Sequence, residues 1–408
     1  MLNQGTMLST ASNQWASRPD DERFLSLADM YKARYAKENG DVVRQQQCNM
    51  AEFRAFYDHN DELMLEHRFS ATDGGITLVP TAWSMQQLCT RTRTPYPALK
   101  LWQNDGNYAL VEEALNHSFK QRGEDMQLYH QYDNILSQPQ TLHAATSERY
   151  TRIFDYEVIE RVQRFTNSSS ANWKVPGTID WSTGQHVSGD YLGSDEVTKE
   201  STTLYAGDRD MFIFLVDDEN PIDLGVTRNG EQDVVFPGFI VGNSTVGYKP
   251  IWMMSFYFRG VCMNRCIWGA QGIKEYSNKH LTNVRQHALY GNKNSTDEFQ
   301  QLSFSERLGK LETQQQQGRD KTAKSIQGAM QVEEFKDDET RILKLRKVDI
   351  PAPTAKKIVV NFEKSENYPI LTRWDMHNAI TAEARNVSFQ NERTKLEKTA
   401  TKFLRMVA

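Results

Sequence analysis

The sequence predicts an α+β protein with a mixed central domain on an antiparallel sheet, a helical N-terminal region and a helical C-terminal tail. Two short apolar runs, MFIFLV at 211–216 and DVVFPGFIVG at 233–242, are typical of buried strands. Apolar residues at helical spacing lie on both sides of these runs. From residue 296 onward the chain is charged and rich in glutamine, which suits solvent-exposed helices.

The N-terminal region is predicted to begin with a helix in the segment 17–40. Three acidic residues follow Pro19, which suits a first helical turn, and Gly40 suits its end. The inward stripe of this helix comprises Phe24, Leu27, Met30 and Tyr31. A short strand at 74–80 precedes a helix that ends before Pro95, and a second amphipathic helix covers 104–123. Its inward residues are Leu110, Ala114, Leu115 and Phe119.

The central region is predicted to alternate between strands and helices. A strand at 142–147 precedes a helix at 154–165, and the Ser- and Gly-rich segment 166–189 is typical of a loop. After the two apolar strands, a strand at 248–254 leads into a helix at 255–270, and a further helix covers 272–291.

The C-terminal tail is predicted to contain a proline-bearing linker at 348–359 and helices at 373–386 and 392–408. The last helix is amphipathic, with a basic face opposite an apolar one, so it is a candidate for packing on the rest of the chain, for self-association or for adding cations to a binding groove. Its basic residues are Arg393, Lys395, Lys398, Lys402 and Arg405, and its apolar residues are Leu396, Phe403 and Leu404.

The length of 408 residues suits two or three domains, or one large domain with helical extensions. The predicted parts are a disordered N-terminus at 1–17, a mainly helical region at 18–122, a central α+β domain at 123–295, a charged linker and helical region at 296–366, and C-terminal helices at 367–408.

The composition predicts a cytoplasmic protein without a membrane segment. Hydrophobic residues make up 38% and charged residues 25%, which is globular composition. No apolar run approaches the roughly 20 residues of a membrane helix, and the polar first residues do not resemble a secretion signal. Four cysteines are few for this length, which suits a reducing compartment.

A basic and aromatic stretch is the main functional signal. Between Lys249 and Lys293 there are seven basic residues and one acid, Glu275, in a chain whose formal net charge is -5. Tyrosine and tryptophan residues are interleaved with these cations. Cations that contact phosphates, beside rings that stack on bases, are typical of single-strand binding, although the same residues also suit a core with a solvated face. The candidate residues are Lys249, Arg259, Arg265, Lys274, Lys279 and Arg285, with Arg149 and Tyr150 added from an exposed polar cluster.

Two metal hypotheses are weaker. Cys262 and Cys266, followed by His280 and His287, approximate a zinc-finger pattern, but the last gap is too long. A buried, hydrophobic role is favoured for both cysteines, so no zinc or other cofactor is predicted. An acidic group suits Mg²⁺ or, more simply, solvated strand ends; it comprises Asp208, Asp210, Asp217, Asp218, Glu219 and Asp223.

Four common enzyme and nucleotide-binding motifs are absent from the sequence. There is no GxxxxGK[ST], GxSxG or HExxH, and the central glycines do not form GxGxxG. No catalytic residue can be assigned, and a non-enzymatic protein is favoured over an enzyme.

Four segments resemble a family of phage and plasmid-like proteins that is known mainly as a domain of unknown function. They are 81–99; 144–162 with Ser147, Glu148, Arg149, Tyr150 and Asp155; 239–267 with Asn243, Ser244, Gly247, Arg259, Cys262 and Asn264; and 372–384 with Trp374, Asn378, Ala379 and Thr381. This chain has Thr245 and Val246 where the family often has His-Asp.

The resemblance implies an intracellular protein from a mobile element or its bacterial host, encoded by a gene that travels with replication and recombination functions. Together with the basic stretch, it leads to the expectation of a nucleic-acid-binding protein that favours single-stranded DNA and acts in binding or annealing. A metal-dependent nuclease and a self-assembling structural protein that oligomerises through its tail are the alternatives.

Overall fold

The fold is α+β, as predicted, and contains two sheets with helices packed on them. The computed structural model describes residues 19–67, 75–132, 139–175, 199, 202–217, 219–228, 231–259, 267–268, 276–278, 284–366, 368–384, 387 and 390–405.

The elements are numbered in chain order. The helices are α1 (Leu27–Glu38), α2 (Ala82–Thr92), α3 (Tyr96–Asn104), α4 (Tyr108–Arg122), α5 (Asp155–Ser168), α6 (Val284–Tyr290), α7 (Glu298–Gln301), α8 (Phe304–Gln331), α9 (Asp338–Lys347), α10 (Ala352–Glu366), α11 (Arg373–Ala384) and α12 (Gln390–Arg405). The strands are β1 (Arg23–Phe24), β2 (Val43–Asn49), β3 (Phe53–Tyr57), β4 (Leu63–His67), β5 (Ile76–Pro80), β6 (Asp125–Gln131), β7 (Gln140–Thr146), β8 (Trp173–Lys174), β9 (Leu204–Ala206), β10 (Met211–Asp217), β11 (Ile222–Arg228), β12 (Glu231–Asn243), β13 (Ile251–Arg259), β14 (Ile267–Trp268) and β15 (Tyr276–Asn278).

The first sheet has the strand order β2-β6-β7-β5-β4-β3. Its pairs are antiparallel except for β5 and β7, which run parallel and are separated in the chain by α2, α3, α4 and β6. These helices cover one face, where apolar side chains from the sheet and the helices form one core, for example Leu78, Leu88 and Phe119. The helix prediction for 104–123 is confirmed, but Leu110 is 44% exposed, because the buried stripe starts at Val111.

The prediction of a mainly helical region at 18–122 differs from this structure. Strands β2 to β5 lie within that region, and β2 and β5 pair with β6 and β7, which come after residue 122. The proposed boundary at 122/123 therefore falls between strands of one sheet. Strand β2 was not predicted because it lacks an alternating apolar pattern. Its residues are mostly polar, and only Val43 is buried.

The second sheet has the strand order β1-β9-β10-β12-β13-β14, with β8, β11 and β15 paired at its sides. All of its described pairs are antiparallel, which confirms the predicted antiparallel sheet. Helices α1, α5 and α8 contribute to the core on one face, with Met30, Val162 and Leu308 against Ile213 and Met253. Apolar side chains of β10, β12 and β13 are also buried on the other face.

The predicted helix at 255–270 is wrong over 255–259, where β13 continues to Arg259. Successive β13 side chains are buried on both faces of the sheet, with Met253 in one core and Met254 in the other. A strand that is buried on both faces shows no two-residue alternation, so its sequence cannot be told from that of a buried helix. The predicted helix at 272–291 is likewise reduced to α6, since β15 pairs with β13.

The tail folds onto the second sheet and forms a helical bundle. The Gln315 amide on α8 donates to the carbonyls of Gly238 (3.0 Å) and Phe256 (2.6 Å) on the sheet. Helices α9 to α12 share a core that includes Phe403, so the apolar face of the last helix packs within its own bundle. The predicted linker at 348–359 is mostly helix, because Pro351 and Pro353 stand at the start of α10, where proline is tolerated.

Within the described part of the chain, no helix is both long and apolar enough to cross a membrane.

Candidate functional site

A cavity of about 280 Å³ lies where the end of α1 meets the first sheet and the turn that follows β12. Val43, Tyr129 and Ala144 of the first sheet pack there against Val246 of that turn, so the cavity is also the junction of the two sheets. The residues lining it are Arg34, Ala36, Lys37, Glu38, Val42, Tyr129, Gln131, His143, Asp208, Thr245 and Val246.

Arg34 and Glu38 form the charged base of this site. They are four residues apart on α1, so both side chains lie on one face of the helix, and both are buried. The Arg34 guanidinium donates to the Glu38 carboxylate and lies 3.3 Å from a carboxylate oxygen of Asp155. Although burial opposes protonation, the two carboxylates raise the pKa of Arg34 above its usual range.

Glu38 caps the N-terminus of α5. One carboxylate oxygen accepts the backbone N–H of Asp155 (2.9 Å) and of Tyr156 (3.3 Å). The other oxygen accepts the Thr245 hydroxyl at 3.0 Å. The Glu38 side chain thus joins the end of α1, the start of α5 and the turn after β12.

Asp155 is the titratable group of the cluster. One of its oxygens accepts the side-chain amide of Asn243 at 2.8 Å, and Asn243 also donates to the Ile153 carbonyl at 2.9 Å. Burial, and then repulsion from Glu38, raise the pKa of Asp155 to about 7. Two buried carboxylates share one guanidinium, and Glu38 has the helix N-terminus as well, so Asp155 is the one that takes up a proton.

The turn at Asn243–Gly247 is held from beneath by Tyr150 and Arg152. Tyr150 donates its hydroxyl to the Ser244 carbonyl at 3.0 Å, and Arg152 donates to the Thr245 carbonyl. Gly247 has a φ of +81°, which favours glycine. The structure thus brings together residues from two of the segments that carry the family resemblance.

Tyr129 and His143 form the aromatic wall of the cavity, with ring centroids 5.4 Å apart. Burial lowers the pKa of His143 to about 4, so its imidazole is neutral near pH 7. Arg152 lies on the Tyr129 ring at 4.0 Å, so the wall is fixed from behind.

A continuous run of ring contacts leads from α1 into this wall. Centroid distances are 5.8 Å for Tyr31 and Tyr35, 5.2 Å for Tyr35 and Tyr156, 5.6 Å for Tyr156 and Phe154, and 6.2 Å for Phe154 and Tyr129. We call these five residues the aromatic run. Tyr35 is 47% exposed, and of the five only Tyr129 is fully buried.

The predicted phosphate-binding residues do not form one surface in the described part of the chain. Lys249 is buried, with its ammonium 3.7 Å from Asp210 and 4.4 Å from the Phe212 ring centroid. It therefore stabilises the second sheet and is not a surface cation. Arg285 is 48% exposed but is bound to Glu157, with Nη2 and Oε1 at 2.6 Å.

Arg149 and Tyr150 lie on one turn after β7, Arg149 exposed and Tyr150 half-buried beneath the Asn243–Gly247 turn. Arg259 is at the end of β13. Arg265, Lys274 and Lys279 lie outside the described residues, so their predicted role stays a prediction.

The acidic group does not converge on one point. Asp210 pairs with Lys249, while Asp217 accepts from Glu219 N–H and the Asn220 amide, and Asp223 accepts from Gly225 N–H, as in ordinary turns. Among the residues that the structure describes, no three His, Cys, Asp or Glu side chains are placed to hold a metal ion. Cys262, Cys266, His280 and Asp218 lie outside the described residues.

Sequence reasoning missed Arg34, Glu38 and His143. A signal for the first two was present, because positions 34 and 38 continue the inward stripe of Leu27, Met30 and Tyr31 along α1. Two opposite charges on a buried helical face indicate a buried polar site.

Replacing Asp155 by asparagine is expected to flatten the dependence of stability on pH. In the unfolded chain Asp155 has its ordinary pKa of 3.8, and in the folded protein its pKa is raised to about 7. Between these values the folded state binds more protons, so the free energy of unfolding of the wild type falls as pH rises from about 4 to about 7. Urea denaturation at pH 5 and pH 7.5 measures this slope.

The control is Asp41→Asn, at an exposed position near the end of α1. It should leave the slope unchanged. If Asp155→Asn and wild type show the same pH slope, the proton assignment to Asp155 is wrong.

Comparison with protein-family models, curated proteins and solved structures found no match to this chain.

Proposed function

We propose that the protein binds single-stranded nucleic acid along the aromatic run and seats one base in the adjoining cavity. The observation that carries this proposal is the unbroken series of ring contacts from Tyr31 on α1 to Tyr129 in the cavity. Solvent reaches Tyr31, Tyr35, Phe154 and Tyr156 along this series. Partly exposed rings in a row are what successive unpaired bases stack on.

Cations along the aromatic run supply contacts for the phosphates. Lys37 is 52% exposed and lines the cavity, with its ammonium 3.8 Å from the exposed carboxylate of Asp21, a weak surface pair. The Arg285 guanidinium is 6.0 Å from the Phe154 ring centroid. Its bond to Glu157 orients it and leaves part of its N–H groups for a phosphate oxygen.

The cavity suits a ligand of the size of a nucleobase. Its volume of about 280 Å³ lies just below the roughly 300–1,000 Å³ that is typical for drug-sized ligands. Tyr129 and the neutral ring of His143 offer an aromatic wall, and Gln131, Asp208 and Thr245 offer donors and acceptors for the edges of a base.

This proposal keeps the expected ligand and changes the residues that bind it. The basic span from Lys249 was expected to form the surface, but Lys249 is buried in an ion pair. The residues of α1 and the start of α5 replace it. The resemblance to phage and plasmid-like proteins supports a nucleic-acid ligand only by association, because genes of that family travel with replication and recombination functions.

Replacing Tyr35 by alanine is expected to weaken binding of a fluorescein-labelled 20-mer of deoxythymidine by roughly 5- to 150-fold, because a stacked base contributes about 1–3 kcal/mol. Fluorescence anisotropy at 50 and 200 mM salt measures the affinity.

Replacing Lys37 by glutamine should reduce the slope of log affinity against log salt concentration by about 0.7, which is the effect of one phosphate contact with a single strand.

The matched control is Tyr35→Phe, which keeps the ring and removes the hydroxyl, and it should bind like the wild type. Wild-type protein that does not bind the 20-mer at 50 mM salt would falsify the proposal. Equal affinities for Tyr35→Ala and Tyr35→Phe would show that Tyr35 takes no part in stacking.

A further inference from the structure

We propose that a second cavity, on the helices that cover the first sheet, binds a nucleotide through its phosphates and its ring. The cavity has a volume of about 590 Å³ and lies among α2, α3 and α4. Its principal polar and aromatic residues are Arg93, Trp102, His117, Ser118, Gln121 and Arg122. We call it the helical-layer cavity.

The helical-layer cavity has the electrostatics of an anion site. Two guanidiniums and an imidazole line it, with hydroxyl and amide groups between them, and no carboxylate is found among its described lining residues. Guanidiniums bind phosphate oxygens with paired, charge-assisted hydrogen bonds. Because the cations are not balanced by acids within the cavity, a phosphorylated ligand would supply the missing negative charge.

The Arg122 guanidinium is held against the backbone at the end of α2, where Arg93 stands. Arg122 donates from Nη1 to the Thr92 carbonyl at 2.7 Å and approaches the Arg93 carbonyl at 3.5 Å. These contacts cap the helix, as cations at a C-terminus often do. They occupy one nitrogen of Arg122, so its other N–H groups remain for a ligand.

Arg93 stands at a backbone position that is unusual for its residue type. Its φ is +55° and ψ is +32°, the left-handed conformation that glycine or asparagine commonly takes at the end of a helix. An arginine there carries a backbone cost, and it is an exposed residue that lines the same cavity as Arg122. A role for this side chain in binding explains why an arginine occupies a position that suits glycine.

Trp102 gives the cavity a planar surface for the ring of a nucleotide. It packs against the core of the first sheet and is half-buried, so the indole is both fixed and accessible. A fixed indole beside cations suits a ligand that joins a planar ring to phosphates. A ligand that consisted of phosphate alone would have no ring to pack on the Trp102 indole.

The helical-layer cavity is independent of the proposed single-strand site. Helices α2 to α4 cover one face of the first sheet, whereas Val43, Tyr129 and Ala144 lie in the other core, beside the first cavity. The two proposals can therefore fail separately.

Isothermal titration of the full chain with adenosine triphosphate, inorganic pyrophosphate and adenosine tests the inference. We expect the triphosphate to bind more tightly than pyrophosphate, and both more tightly than adenosine. Arg93→Gln should weaken the triphosphate and pyrophosphate by roughly 10-fold or more, since each loses a charge-assisted contact. Trp102→Leu should weaken the triphosphate and leave pyrophosphate unchanged.

The charge-matched control is Arg54→Gln, at an exposed position on β3. Glutamine adds no strain at position 93, because it requires the same backbone freedom as arginine. The inference is overturned if neither phosphate compound binds at low salt, or if Arg93→Gln binds as tightly as Arg54→Gln. Equal weakening of both phosphate compounds by Trp102→Leu would overturn the ring contact.

Discussion

Replacing Arg34 by methionine is expected to lower the free energy of unfolding by about 3–5 kcal/mol, the range for breaking a buried ion pair from one side. The reason is that Glu38 and Asp155 would stay buried without the guanidinium that both contact. Methionine nearly fills the space of the aliphatic part of arginine, so the loss is electrostatic more than steric. Urea denaturation at pH 7.5 measures it.

The effect of Arg34→Met should depend on the state of Asp155. At pH 5 Asp155 is protonated in the folded wild type, and without Arg34 its pKa rises further, so the destabilisation should be smaller than at pH 7.5. In an Asp155→Asn background the same change should also cost less, since only Glu38 is left unpaired.

The control for Arg34→Met is Lys32→Met, which removes an exposed cation from the same helix. It should change stability by less than about 0.5 kcal/mol. If Arg34→Met lowers the free energy of unfolding by less than about 1 kcal/mol, water solvates the charges of Arg34, Glu38 and Asp155 and the prediction is wrong.

Replacing Arg307 by methionine is expected to destabilise the protein by about 3–5 kcal/mol, because several buried carbonyls would lose a charged donor at once. Arg307 is fully buried at the start of α8. Its guanidinium donates to the carbonyls of Ala288 (2.8 Å) and His287 (3.0 Å) on α6. It also donates to the carbonyls of Phe299 and Gln300 on α7, both at 3.0 Å.

Arg307 therefore donates to carbonyls in the last turns of two short helices. The carbonyls of His287 and Gln300 also accept the backbone N–H groups of Gly291 and Asn292. The ring of Tyr276 lies 4.0 Å from the guanidinium and completes its surroundings. Arg307→Lys should recover only part of the stability, since an ammonium has three donors and cannot span four carbonyls.

Urea denaturation and amide hydrogen exchange at 284–301 measure the effect of Arg307→Met, and faster exchange should be confined to α6 and α7 if the protein remains folded. Lys321→Met on the exposed side of α8 is the control and should be near neutral. Unchanged exchange in α6 and α7 would contradict the capping role.

Elements with a clear apolar pattern were predictable from the sequence. Helix α5 appears where apolar spacing at helical period indicates it, and the strands β10 and β12 appear where short continuous apolar runs indicate buried strands. Helix α3 was missed because Pro95 and Pro97 suggested a turn, although proline is compatible with the first turn of a helix.

The candidate sites were less predictable than the fold. Lys249 looked like a surface cation because sequence shows neither Asp210 nor the Phe212 ring beside it. Tyr31 was expected in the core but is partly exposed, because its ring meets the ring of Tyr156 on α5 edge to face at the margin of the α1–α5 contact. The aromatic run joins residues that are far apart in the chain, and no local pattern connects them.

The sequence by itself determined the α+β class, the antiparallel second sheet and most of the helices, because apolar periodicity is a local property that burial imposes on each element. The tertiary structure alone decided which charges are buried and which rings are exposed. Glu38 becomes a helix cap only because α1 ends at the N-terminus of α5, and Arg122 meets Arg93 only because α4 packs beside the end of α2. Such pairings depend on the distance between elements in space, which separation along the chain does not encode.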